Sequence, residues 1–152
     1  MIRITNIQNA KNVGCEDIWA IVRSMKSPEP GIVQVTGLSP SKELFHKYRN
    51  LVLEEDWHKQ TFQDIYVPQF LLETCQSQVA KNLLNRLYQM DKEGKDICLA
   101  CFCVNETLCH RSIIAGLLQG VGCNVVTDTG NDYTAYYRMY RKTEAELKRR
   151  EL

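Results

Sequence analysis

Asp96-Ile97-Cys98-Leu99-Ala100-Cys101-Phe102-Cys103 is the stretch on which the fold turns. It is apolar at odd and even positions alike, the pattern of a central strand buried on both faces in a parallel sheet. Before it, Asp91-Lys92-Glu93-Gly94-Lys95 closes a helical segment with a glycine. After it, Val104-Asn105-Glu106-Thr107-Leu108 reads as a loop, and Cys109 to Val121 carries helical spacing stopped by Gly120 and Gly122. Cys123-Asn124-Val125-Val126 then reads as another short strand. Helix, strand, helix, strand is the order that builds parallel βαβ units.

Farther out the same alternation continues. From Trp57 to Met90 the residues Phe62, Ile65, Tyr66, Phe70, Leu71, Val79, Leu83, Leu84, Leu87 and Tyr88 predict two helices, with Pro68 marking a kink or a first turn. Gly31-Ile32-Val33-Gln34-Val35-Thr36-Gly37 is β-branched and bracketed by glycines, which predicts a strand inside the sheet. Leu38-Ser39-Pro40-Ser41 follows, with a serine available as helix cap, and Leu44, Phe45, Tyr48, Leu51 and Val52 at helical intervals. Ile2, Ile4 and Ile7 suit a short first strand. Ile18, Ile21, Val22 and Met25 form a helical stripe, so a helix is expected over Glu16 to Met25, stopped by Lys26-Ser27-Pro28-Glu29-Pro30-Gly31. Tyr133 to Arg150 closes the chain as an amphipathic helix whose Lys148-Arg149-Arg150 end suits the helix dipole. The expectation is one α/β domain over 1–152: a three-layer sandwich with a small, mostly parallel sheet flanked by helices, and 132–152 as the C-terminal amphipathic helix.

Composition narrows the function classes. The 152 residues suit one hydrophobic core, and 44% hydrophobic against 24% charged residues argues against disorder. A net charge of +1 excludes bulk binding to nucleic acid or an acidic membrane surface, so any basic site is local. No apolar run spans a bilayer, and Met1-Ile2-Arg3-Ile4-Thr5-Asn6 lacks the apolar stretch of a signal peptide, so a cytoplasmic protein is expected. There is no G-x-G-x-x-G and no Walker loop. No cofactor is implied, and oligomeric state is not readable.

Seven cysteines are the sharpest compositional signal, four of them between positions 98 and 109. A secreted disulfide scaffold spreads its cysteines through a smaller chain, so reduced thiols are expected. Cys15, Cys75, Cys98 and Cys123 read as packing residues. In an open α/β sheet, ligands bind beyond the carboxyl ends of the strands, where the strand ending at Cys103 meets the helix opening Cys109-His110-Arg111-Ser112. With Asn105 or Thr107 as the cap, free N–H groups and the helix dipole favour a phosphate or carboxylate, which Arg111 would grip with two parallel hydrogen bonds. The same field lowers a thiol pKa, making Cys109 the leading candidate nucleophile. Against this stand the plainer roles: His110 shares a stripe with Ile113, Ile114, Leu117 and Val121 and can simply fasten the loop, and Arg111 can be a solvated arginine.

Cys101, Cys103, Cys109 and His110 nominally supply a zinc set, but two cysteines on one strand face are poor support for it, since structural zinc favours a C-x2-C knuckle. Cys101 or Cys103 can instead be a resolving thiol for Cys109. A cysteine-phosphatase loop needs Cys and Arg framing five residues, and Arg111 lies eight after Cys103. His46, His58 and Trp57 read as solvated helix positions. Asp128-Thr129-Gly130-Asn131-Asp132-Tyr133 is a polar loop placed to hold a ribose or base. Tyr133, Tyr136, Tyr137 and Tyr140, with Arg138 and Arg141 interleaved, read mainly as the packed side of the last helix.

The run Ile97 to Cys103, followed by Cys109-His110-Arg111-Ser112-Ile113-Ile114-Ala115, resembles the domain-of-unknown-function 488 family. Gly37-Leu38-Ser39-Pro40-Ser41, the helix with Leu44 and Tyr48, and the Phe62, Tyr66, Leu72 spacing are similar as well. The likeness covers residues 1 to about 127 and leaves out the tyrosine-rich last helix. It implies an α/β fold and a shared Cys-His-Arg site in small intracellular proteins, often bacterial or phage, without an established reaction. The functional expectation is a small α/β protein binding or processing a small anionic, nucleotide-like ligand. Cys109 and His110 would be catalytic, with Arg111, Ser112, Asn105, Thr107 and Tyr133 as ligand contacts. The alternatives are a nucleotide-sequestering or sensing protein without turnover, and a zinc or redox module.

Overall fold

The computed structural model describes residues 1–15, 17–26 and 29–151. Five strands among them form one sheet: β1 (Ile2–Asn6), β2 (Asp17–Ala20), β3 (Ile32–Gln34), β4 (Ile97–Cys101) and β5 (Val125–Thr127), in the order β3-β2-β4-β1-β5. Every pairing is parallel. All five residues of β4 are buried, so helices cover both faces of the sheet centre and the apolar run is explained. The helices are α1 (Ile7–Ala10), α2 (Lys42–Leu53), α3 (Lys59–Thr61), α4 (Val67–Gln76), α5 (Gln78–Lys92), α6 (His110–Gly120) and α7 (Ala135–Arg150). This is the expected α/β sandwich, with a sheet that is parallel throughout.

Two expectations are corrected. The segment expected as a helix over Glu16 to Met25 contains β2, which pairs with β3 on one side and β4 on the other; Glu16, Ser27 and Pro28 lie outside the described residues. Trp19-Ala20-Ile21-Val22, the end of the strand and its exit, is a continuous buried run, and such a run lacks the polar alternation that separates strand from helix. The strand after Gly31 is an edge strand, not an interior one, with Val33 61% exposed. Among the described residues β3 pairs with β2 alone, over Ile32–Gln34.

Ser41 caps α2 as its position suggested: its hydroxyl accepts from the Leu44 amide at 3.1 Å and donates to Glu73 at 2.5 Å, tying the start of α2 to α4. Pro68 sits in the first turn of α4, directly after a π-helical turn over Phe62–Tyr66. A wide turn before a residue with no N–H keeps one continuous rod from Lys59 to Gln76. From His110 to Leu118 every residue of α6 is buried, since the helix lies against β1, β4 and β5 and is overlaid by α4 and α7.

The topology places a crevice. The chain leaving β2 turns toward the β3 edge, whereas the chain leaving β4 crosses the other way to β5. Neighbouring strands whose exits diverge leave a gap at their carboxyl ends, which is where α/β sheets bind ligands.

Candidate functional site

A cavity of about 700 Å³ opens at that crevice. The exit of β2 contributes Val22, Arg23, Ser24, Met25 and Lys26; the exit of β4 contributes Cys101, Phe102 and Cys103; Cys109 and His110 come from the start of α6. The facing wall is aromatic: Phe45, Tyr48 and Arg49 from α2, Trp57 from the connection after it, and Tyr66 from the π-helical turn. Tyr48 meets Trp57 edge-on at 4.8 Å, Trp57 meets Tyr66 at 5.5 Å, Tyr66 stacks on Phe70, and Phe70 leans on the His110 ring at 5.7 Å. The wall is therefore a continuous set of ring contacts anchored on the helix that carries the Cys-His-Arg run.

Three sulfurs gather at the floor. Those of Cys101, Cys103 and Cys109 all lie within 4.8 Å of one another, and Cys101 Sγ is 3.0 Å from Cys109 Sγ. Arg111 Nη1 donates to Cys101 Sγ at 3.0 Å. Hydrogen bonds from Cys103 and Cys109 draw the Cys101 thiol down to about 2, with Arg111 helping against burial. The hydrogen bond to Cys101 holds Cys103 up at about 11, and burial holds Cys109 well above the ordinary thiol range. Within the cluster the thiol pKa is lowered at Cys101 and raised at Cys103 and Cys109. The expectation that Cys109 carries the thiolate is corrected: Cys109 is itself the N-cap residue of α6 and is 2% exposed, so desolvation outweighs the helix field.

His110 fastens the site. Its Nε2 lies 2.7 Å from the Ile21 carbonyl, which can only accept, so Nε2 carries the hydrogen and Nδ1 presents a lone pair 3.6 Å from Cys109 Sγ. Burial lowers the imidazole pKa and keeps the ring neutral. One side chain thereby bridges the exit of β2 and the start of α6, and also offers an acceptor to the Cys109 thiol.

The other sequence candidates lie elsewhere. Arg111 is 1% exposed rather than solvated, and does not line the cavity: Nη1 donates to the Cys103 carbonyl at 2.6 Å and Nη2 to the Val104 carbonyl at 3.3 Å, so the guanidinium shapes the loop instead of presenting a fork to an anion. Ser112 is buried, with its hydroxyl on the Cys109 carbonyl at 2.7 Å. Asn105 caps the 3₁₀ turn Glu106–Leu108 and not α6, its side chain held by the Thr107 amide and hydroxyl. Tyr133 donates at 2.6 Å to the buried Glu106 carboxylate, which also accepts from Thr129 and from the Asp128 amide. None of Asn105, Thr107, Ser112 and Tyr133 lines the cavity. In the nominal zinc set, His110 falls outside the group of close ligand atoms, which is Cys101, Cys103 and Cys109.

Sequence reasoning missed the aromatic wall and the cations Arg23, Lys26 and Arg49. Trp57 read as a solvated helix position, and nothing local marks it as a wall residue. The one available signal is the i, i+4 ladder Phe62, Tyr66, Phe70, longer in aromatics than an ordinary helix stripe.

Comparison with known proteins adds one finding. Neither the curated proteins nor the solved structures contain a match to this chain. The DUF488-N3a family, described as the active DUF488-N3 subclade, matches residues 2–122, a span that holds four of the five strands and the whole thiol-lined crevice. The chain belongs to the DUF488-N3a family.

Proposed function

We propose that the cavity binds and processes a small nucleotide-like ligand, with the Cys101, Cys103 and Cys109 sulfurs as its reactive floor. The observation that carries this reading is the joining of three features in one 700 Å³ space: a wall of Tyr48, Trp57 and Tyr66, lining cations Arg23, Lys26 and Arg49, and the thiol floor. A flat base stacks on aromatic rings, and a phosphate suits arginine and lysine at the rim. A volume of that size matches a ligand of nucleotide dimensions. The position of the anion differs from the one the Cys-His-Arg run suggests, since Arg111 is engaged by the loop carbonyls while Arg49 and Lys26 are exposed. The family's description as an active subclade agrees with turnover in addition to binding.

The test is a thermal-shift series with ribo- and deoxyribonucleoside mono-, di- and triphosphates, each recovered afterwards for mass spectrometry. A ligand at 100 times its Kd adds about 2.7 kcal/mol of stability, which raises Tm by several degrees in a chain of this size. Trp57→Ala and Arg49→Ala should remove the shift, and the recovered ligand should be altered by the native protein. Absence of a shift with every nucleotide at millimolar concentration overturns the reading.

A further inference from the structure

We propose that Cys101, Cys103 and Cys109 are the three protein ligands of a single Zn²⁺ ion whose fourth position opens into the cavity. Zinc bound to thiolates at about 2.3 Å in a tetrahedron sets its sulfurs about 3.8 Å apart. The three sulfurs here all lie within 4.8 Å of one another, with the Cys101–Cys109 pair at 3.0 Å, so that pair has to part by less than about 1 Å to reach that spacing. Among the described residues this is the group of potential ligands that comes together. Three ligands with the remaining direction facing a ligand cavity is the layout of catalytic zinc, whereas structural zinc is closed by a fourth side chain. His110 does not close it, because its Nε2 is held by Ile21 and its other nitrogen approaches Cys109 alone.

Charge selects the ion. Three thiolates and a dication leave one negative charge, and the buried Arg111 guanidinium on Cys101 cancels it; a monovalent ion such as Cu⁺ would leave the buried site negative. Mg²⁺ and Ca²⁺ require oxygen ligands, and a [4Fe–4S] cluster with one open iron spreads its three cysteine sulfurs over three separate irons, farther apart than the sulfurs here. Arg111 would be the supporting partner that metal thiolates take from their surroundings, and its Nε, buried with no acceptor, lies beside the cluster it would neutralise. The inference rests on the pocket reading in one respect, the assignment of the open position to the cavity ligand. It also narrows the chemistry there to a Lewis acid acting on an oxygen or water, in place of a free thiolate attacking.

The experiment is Co²⁺ titration of the full chain, reduced and stripped with a chelator under anaerobic conditions, followed by displacement with Zn²⁺. One equivalent should give thiolate-to-cobalt charge transfer and the intense visible bands of tetrahedral Co²⁺. Cys109→Ser, which puts a favoured helix cap at that position, and Cys103→Ser, at a partly exposed one, should each lower affinity more than about 100-fold, beyond the usual effect of a supporting residue. Cys15→Ser should leave affinity unchanged, and far-UV circular dichroism should show every variant folded. A weak octahedral spectrum, an affinity untouched by Cys103→Ser, or a Cys101–Cys109 disulfide that takes up no Co²⁺ once reduced overturns the zinc site. The nucleotide thermal shift, run on both metal-free and Zn²⁺-loaded protein, separates the two ideas: a shift without cobalt binding removes only the zinc, and cobalt binding with no shift in either form removes only the nucleotide.

Discussion

His110 and Arg111 are neighbours in the chain and both hold backbone carbonyls, but on opposite lips of the cavity floor. His110 reaches the exit of β2 through Ile21, and Arg111 reaches the exit of β4 through Cys103 and Val104. Removing His110 strands the buried Ile21 carbonyl, and removing Arg111 strands the buried Cys101 sulfur and loosens the half-buried loop carbonyls, which costs more than the net worth of one bond. His110→Ala should lower the unfolding free energy by about 1–3 kcal/mol in urea titrations, and Arg111→Met by at least as much because it frees two acceptors. Arg111→Lys should recover little, since one ammonium on a flexible stem cannot hold carbonyls and a sulfur fixed by a planar fork. The cysteines divide at this scale too. Burial pushes Cys75 up to about 11 and Cys98 up to about 12, so iodoacetamide at pH 8 should leave both unmodified in the native protein, as peptide mass mapping would show.

At the scale of elements, the legible parts were those whose pattern admits one reading. The β4–loop–α6 unit was legible because a run apolar on both faces, a polar loop and a glycine-stopped helix follow in order. The strand β2 was not, because Ile18, Ile21, Val22 and Met25 satisfy a helical stripe as well as a buried strand, and its pairing with β3 and β4 is non-local information. The cavity was half legible for the same reason: the Cys-His-Arg run marks its floor, but Tyr48, Trp57 and Tyr66 reach it from elements more than forty residues earlier in the chain. The junction of α6 and α7 was invisible in pattern and is tight in space. A methyl group added at Gly116 would overlap the Tyr133 carbonyl, and one at Gly120 the Tyr137 side chain. Replacing a helical glycine by alanine ordinarily gains up to about 1 kcal/mol, yet backbone cannot yield as a side-chain tip can. Gly116→Ala and Gly120→Ala should therefore each lower Tm, since the Gly120 methyl would also overlap the Tyr137 Cβ, which no side-chain rotation moves.

For the whole molecule, the family match and the folded unit end at different places. The match stops at residue 122, whereas β5, the second neighbour of β1, and α7, which overlies α6, come after it. A chain ended at 122 would bare one side of β1 and the glycine-lined face of α6, both formed mainly of buried residues. Size-exclusion chromatography should show that shortened chain aggregating, and proteolysis should degrade it faster than the full chain. The net charge of +1 leaves any excess of positive charge local, and the cavity lining carries Arg23, Lys26 and Arg49 against one acid, Glu29. The two tryptophans fall on different parts of this plan: Trp19 is buried within β2 and Trp57 stands on the cavity wall. The molecule consequently has two intrinsic fluorophores with separate duties. Emission from Trp19 should answer to unfolding and emission from Trp57 to whatever fills the cavity, so if the proposed ligand binds, a Trp19→Phe chain would report its entry by fluorescence alone, with no label attached.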